Sequence, residues 1–246
     1  MKFSNGHEST GRLVLPAAIL GLGILLGAVA FGLFFRASRE RADTIQVVGS
    51  ASERFHSDIA KWRVVLARRV SGDELSAGYA AIRADLDHLT GRIVDAGIDP
   101  GAISIQPVNA QPIWGPEGRQ NGYDLVQSIY VVWNEPELLE ALALNPGMLL
   151  QDGAVLQASQ LEYYYSGIAE MKHSLLAKAT ADARLRAEEI AGASGGGRLG
   201  RMRSARAGVF QITEPFSTDV AAYGIHATNT REKEISVTVH ATFEME

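Results

Sequence analysis

An α+β fold, with antiparallel sheet and amphipathic helices packed on one face behind a single transmembrane helix, is what this 246-residue sequence predicts. Three observations carry the prediction. Leu13 to Phe35 runs 23 residues without an ionisable side chain, between Arg12 and Arg36. Several later segments alternate apolar and polar residues, the period of a half-buried strand. Others repeat apolar residues every three or four positions, the period of a helix with one buried face.

The elements follow in chain order. Residues 1–12 form a short tail, and residues 13–35 form the membrane helix. Twenty-three helical residues rise about 34 Å, enough to cross a hydrocarbon core of about 30 Å. A cleaved signal peptide would share these features, with Ala28-Val29-Ala30 as its small-x-small site. The apolar run continues through Phe31, Leu33, Phe34 and Phe35, however, beyond the usual core of about 7–15 residues, so a retained signal anchor is the favoured expectation. Sidedness stays open. Arg36, Arg39, Arg41 and Arg54 follow the span and argue for a cytoplasmic domain, but long domains often translocate regardless of flanking charge. Gly23 and Gly27 have the GxxxG spacing that lets two helices approach closely, a candidate packing face. Glycine is also common in membrane spans, and that plainer reading is preferred.

After a charged linker at 36–43, residues 44–246 read as one domain. Ile45 to Val48 starts a strand that Gly49-Ser50 interrupts. From Ala60 to Val70, Trp62, Val64 and Leu66 share a face opposite Lys61 and Arg63. Asp73 is the expected N-cap of a helix whose stripe is Leu75, Tyr79, Ile82, Leu86, Leu89 and Ile93, stopped by Gly97. Ile103 and Ile105 open a strand leading into a hairpin loop at Gly115–Gly118. The return strand, Leu125 to Trp133, is apolar on both faces and belongs near a sheet centre. Pro136 starts a short helix, Val155 to Tyr165 is a strand, and Ile168 to Ala193 is a long helix whose second half is alanine-rich. Leu199 to Ala207 and Ile235 to Met245 supply the last clear strands.

Composition limits the chemistry. Beyond residue 42 the chain holds 18 Lys+Arg against 26 Asp+Glu, a net charge of −8. Nucleic-acid binding draws most of its affinity from neutralised phosphates, so an acidic domain predicts no such partner. The chain has no cysteine, which removes disulfides, thiolate metal sites and cysteine nucleophiles. No catalytic, cofactor or metal motif stands out. His7, His88, His173 and His240 are isolated from one another at metal-ligand spacing. His56-Ser57-Asp58 has the residue types of a hydrolase triad, but adjacent residues cannot take up triad geometry, and a turn is expected there. Gly195-Gly196-Gly197 follows a helix and lacks the GK[ST] ending of a phosphate loop, so it reads as a helix stop. Glu188 and Glu189 point in different directions on a helix. Tyr163 and Tyr165 are candidates for an exposed interaction surface, with core or subunit packing as the plainer alternative.

Two sets of segments resemble the SIMPL-domain family of bacterial envelope proteins, which includes periplasmic immunogenic antigens. The first is Ile45-Gln46-Val47-Val48-Gly49-Ser50-Ala51 with Asp58-Ile59-Ala60 and Val64-Val65. The second is Ala181-Asp182-Ala183-Arg184, Arg186-Ala187-Glu188, Ile190-Ala191, Gly195 and Leu199-Gly200. With the terminal strand, the likeness spans about residues 44–246. It implies an extracytoplasmic, non-enzymatic α+β domain without cofactors, in a family whose members assemble into ring- or channel-like homo-oligomers. The expected protein is therefore anchored in the bacterial inner membrane through residues 13–35, faces the periplasm, and acts in assembly or interaction, with a link to envelope stress. The alternative is an envelope enzyme for cell-wall or lipid substrates, using carboxylates such as Asp58 or Asp182.

Overall fold

The computed structural model describes residues 11–39, 44–150, 154–195 and 197–246. Residues 1–10 of the expected tail, including His7, residues 40–43 of the linker, and Gly196 lie outside the described residues. Helix α1 (Gly11–Arg39) contains Pro16 and then an 18-residue stretch, Ala18–Phe35, of mean hydropathy 2.5 with none of it buried. It is long and apolar enough to cross a membrane, a description that an N-terminal signal sequence also meets. Gly23 and Gly27 lie about one turn apart on it, with nothing within 4 Å of where a Cβ would stand.

The rest is α+β, but with two sheets where the sequence suggested one. The elements are β1 (Thr44–His56), β2 (Ile59–Val70), α2 (Leu75–Asp95), β3 (Ile103–Ile105), β4 (Asn109–Trp114), β5 (Gln120–Trp133), α3 (Pro136–Ala143), β6 (Val155–Tyr164), α4 (Ile168–Ala193), β7 (Leu199–Ala207), β8 (Gln211–Thr213), β9 (Ile225–His226) and β10 (Glu232–Met245). One sheet runs β3-β5-β2-β6, with β4 also on β5; the other runs β1-β10-β8-β9, with β7 also on β10. Pairing is antiparallel except between β8 and β9. The chain changes sheets at Ser57-Asp58, because β1 pairs with the C-terminal β10 along its whole length instead of turning back onto β2.

In the β5/β2 sheet, Ala60, Trp62, Val64 and Leu66 face Leu86, Leu89 and Ile93 of α2 and Leu139 of α3. The Trp62 indole donates to Ser159 Oγ at 2.9 Å, so its one polar atom is satisfied inside that core. Arg68 grips Asp85 with two bonds of 2.7 Å, fastening α2 to β2. Asp73 does not cap α2: it sits in a short 3-10 turn, while Ser71 Oγ donates to Glu74 at 2.6 Å, and the helix proper starts at Leu75.

In the β1/β10 sheet, α4 covers one face. Leu175 and Ala179 pack with Phe55, Ile235, Val237 and Val239; Ala183 and Ala187 pack with Val47, Ala241 and Phe243. Gly49 does not interrupt β1, which continues unbroken to His56. A Cβ at Gly49 would lie 2.2 Å from the Ala179 carbonyl oxygen and 2.3 Å from the Ala183 nitrogen. Only glycine lets the strand and the alanine row of α4 come this close. The neighbouring Ser50 N–H donates to Asp182 of α4 at 2.7 Å, and Asp182 pairs with Arg186 at 2.8 Å. Gly195 then ends α4 with φ of 72°, a left-handed stop that glycine adopts without steric penalty.

The sheets meet at a seam of backbone bonds. Ser57 N–H donates to Arg231 O (2.9 Å), Asp58 N–H to Tyr164 O (3.1 Å), and Tyr163 N–H to Thr228 O (2.8 Å).

Candidate functional site

The period of two that buries Ile235, Val237 and Val239 under α4 sends Glu234, Ser236, Thr238 and His240 to the opposite face of β10. Register adds their neighbours on β1: Val48 opposite His240, Ser50 opposite Thr238, Ser52 opposite Ser236, and Arg54 opposite Glu234. From the other side β7 sets Arg206 opposite His240. The resulting trough has a volume of about 970 Å³, and a second stretch of about 470 Å³ continues it, sharing Arg206 and His240. Its floor is a row of hydroxyls with one imidazole and one guanidinium, a hydrogen-bonding surface.

One wall is the segment between β8 and β9. Gln211, 8% exposed, fixes this wall to the sheet: its amide donates to Ala221 O at 2.8 Å and its carbonyl accepts from Ala221 N at 3.4 Å. Pro215 and Phe216 occupy the centre of a turn closed by Ser217 N–H to Glu214 O at 3.2 Å. Phe216 has φ of 65°, where a type II turn favours glycine. A bulky residue held in that region carries local strain of order 1 kcal/mol or more. Its ring is 83% exposed and lies 4.2 Å beneath the Arg54 guanidinium, which also pairs with Glu234 at 3.1 Å. Val220 and Tyr223, at 80% and 91% exposure, complete an apolar rim beside the polar floor. Chemically the arrangement is suited to holding another surface: directional polar groups in the middle and apolar knobs at the edge.

The residues singled out from sequence fall elsewhere. Tyr163 is not exposed: it is buried at 8% in the α2/α3 core, because its strand face points inward, and burial together with the nearby Glu140 carboxylate pushes its hydroxyl up to about 12. Tyr165 is partly buried and packs on Phe55, ring centroids 5.0 Å apart. Asp58 accepts from Ser166 N–H at 2.8 Å just before α4, while Asp182 holds Ser50. Asp182 reaches β1 at Ser50, whereas Asp58 lies past the strand's end at His56, six residues or about 20 Å farther along. The two carboxylates do not share a cleft. His56-Ser57-Asp58 is the crossing between sheets, with Ser57 buried at 2%. Glu188 pairs with Arg184 at 2.9 Å. Gly23 and Gly27 face no packed neighbour among the described residues.

In sequence His240 is an isolated histidine, and the alternation of β10 alone sets it on the polar face. The trough was hidden because its floor joins β1 to β10, and its one local signal was a bulky residue after proline at 215–216. Among the described residues, no group of three or more His, Asp or Glu side chains is placed to hold a metal ion.

Comparison with curated proteins found no match. The contact of Gly49 and Ser50 with Ala179, Asp182, Ala183 and Arg186 unites the two stretches on which the resemblance rests, 130 residues apart in sequence. The family model for SIMPL, described as a protein of unknown function (DUF541), matches residues 45–243, and the chain belongs to that family.

Proposed function

We propose that this SIMPL-family protein is a membrane-anchored, non-enzymatic interaction module of the bacterial envelope, held in the inner membrane by α1 with its domain in the periplasm, and that it assembles with copies of itself. The observation that carries this reading is the wall at 214–224, which is clamped by Gln211 yet presents Phe216, Val220 and Tyr223 at 80% exposure or more. Apolar side chains held outward on an ordered segment gain most by being covered. Four residues separate α1 from β1, a reach of at most about 18 Å over five Cα steps. Phe216 stacks on Arg54, ten residues or about 33 Å along β1 from Thr44, so a domain whose β1 stands away from the bilayer carries this rim clear of the headgroups. The open glycine face at Gly23 and Gly27 would let neighbouring anchors pack within the membrane.

The test is the mass of the full chain in detergent by light scattering. The reading expects a discrete oligomer, shifted toward monomer by Tyr223→Ser with Phe216→Ser. A monodisperse monomer for the unaltered chain overturns it. A C-terminal alkaline phosphatase fusion checks sidedness: activity places the domain outside the cytoplasm, and inactivity contradicts the periplasmic assignment.

A further inference from the structure

Lys233 is the side chain that the fold leaves least explained. It lies on β10 opposite Phe55, on the face covered by α4, and is 1% exposed. Its ammonium donates to the Tyr163 carbonyl, its only hydrogen bond among the described residues. An ammonium has three donors, so two are left over. No described carboxylate pairs with it. The titratable groups around it are Tyr164 of β6, ring centroid 6.0 Å away, Tyr165 just after that strand and His226 of β9, which also feels the Lys172 charge from α4. The Tyr164 hydroxyl is itself engaged with Glu162, which is in turn paired with Lys61 at 3.0 Å. A buried cation without a counter-charge costs several kcal/mol, so natural proteins generally supply a partner.

The space for that partner is present. A cavity of about 90 Å³ adjoins Lys233, lined by Phe55, Tyr164, Tyr165, Ile168, Ile212 and His226. That volume is well above what one water requires and suits a small organic anion. His226 is exposed and sets an imidazole at the mouth, edge-on to Tyr164 at 6.2 Å, while the walls from β1, α4 and β8 are aromatic and aliphatic. The Lys233 amine in the lining and the apolar walls around it select a ligand with one anionic end and a short hydrocarbon body.

We propose that this cavity binds a short-chain carboxylate, its head paired with Lys233 and its alkyl group against Phe55, Ile168 and Ile212. Partial burial of the imidazole is the larger cause that holds the His226 proton affinity down and disfavours any charge there; the Lys233 and Lys172 charges act in the same direction on His226 and are the part of the field that favours an arriving anion. This site lies apart from the trough and does not depend on the assembly reading.

The experiment titrates acetate, propionate and butyrate into the full chain in detergent micelles, at constant ionic strength maintained with chloride, by calorimetry and by saturation-transfer NMR on the ligand methyl protons. The expected result is saturable binding of one carboxylate per chain, with methyl signals from propionate and butyrate. Affinity should fall at least tenfold in Lys233→Met, which removes the cation, and in Ile168→Phe, which fills the cavity and keeps the cation. If Lys233→Met does not fold, the Ile168→Phe chain decides. Absence of saturable binding, an equal effect from chloride, or undiminished binding in the folded variants overturns the proposal.

Discussion

Replacing Gly49 by alanine probes the contact on which the β1/β10 half of the domain is built. The new methyl group would stand 2.2 Å from one backbone atom of α4 and 2.3 Å from another, and a third, the Ala183 Cα, lies at 2.7 Å. None of these is a flexible side-chain end, so the helix itself must lift by about 1 Å to restore ordinary contact distances. Overpacking of this kind costs about 1–3 kcal/mol. Lifting also stretches the 2.7 Å bond from Ser50 N–H to Asp182, a hydrogen bond to a charged group worth about 1.5–3 kcal/mol. It opens the layer around Ala179, Ala183 and Ala187, each fully buried. Together the loss should reach about 3–5 kcal/mol, a large part of the 5–15 kcal/mol that stabilises a typical protein. The assay is denaturant unfolding of the full chain in detergent followed by circular dichroism, with Gly91→Ala as the control. Gly91 lies in α2 with nothing within 4 Å of its Cβ position, and alanine there should stabilise by about 0.5–1 kcal/mol. A Gly49→Ala loss below about 0.5 kcal/mol would refute the close-packing argument.

Three further outcomes are expected. Asp85→Ala leaves the half-buried Arg68 without its bidentate partner and should cost about 3 kcal/mol or more in the same unfolding assay; a loss under about 1 kcal/mol would mean the pair is dispensable. Phe216→Gly relieves a backbone conformation that glycine accepts freely, so stability should hold or rise by about 1 kcal/mol while self-association weakens; equal association of the two chains would separate the rim from assembly. Burial lowers the Lys233 pKa, so between that value and about 10.4 the unfolded chain binds the proton and the folded chain does not. Stability contributed at this position therefore increases with pH across that window, and the stability of wild type relative to Lys233→Met should rise on going from pH 8 to pH 10. Identical pH slopes would show that burial does not perturb this amine.

Much of the fold was legible because its long elements obey single periods. The stripe of α2, the alanine half of α4 and the alternation of β10 each announce their type locally. What the sequence withheld are facts about partners far along the chain. Gly49 reads as a strand breaker until α4 is laid against it, because its cause sits at Ala179 and Ala183. A single sheet was the natural expectation from short connections, yet β1 finds its partner 176 to 200 residues away, Thr44 pairing with Glu244 at one end and His56 with Glu232 at the other. Alternation along the strand left Tyr163 open to exposure or, the plainer reading, to core packing, and which strand face is covered is decided only by α2 and α3. Lys233 did leave a signal. The alternation that buries Ile235, Val237 and Val239 puts Lys233 on the same side, and a charged residue in phase with an apolar row predicts a buried cation.

The central claim is that the protein works by contact between copies through the rim beside the trough. Photo-crosslinking in intact membranes tests it most directly, with a photoreactive residue placed singly at Phe216, Val220 or Tyr223 and, as control, at Leu185, an exposed position on α4. The account predicts a discrete crosslinked dimer of this chain from the rim positions and none from Leu185. Crosslinks from the rim that contain no second copy, or equal yields from Leu185, would contradict it.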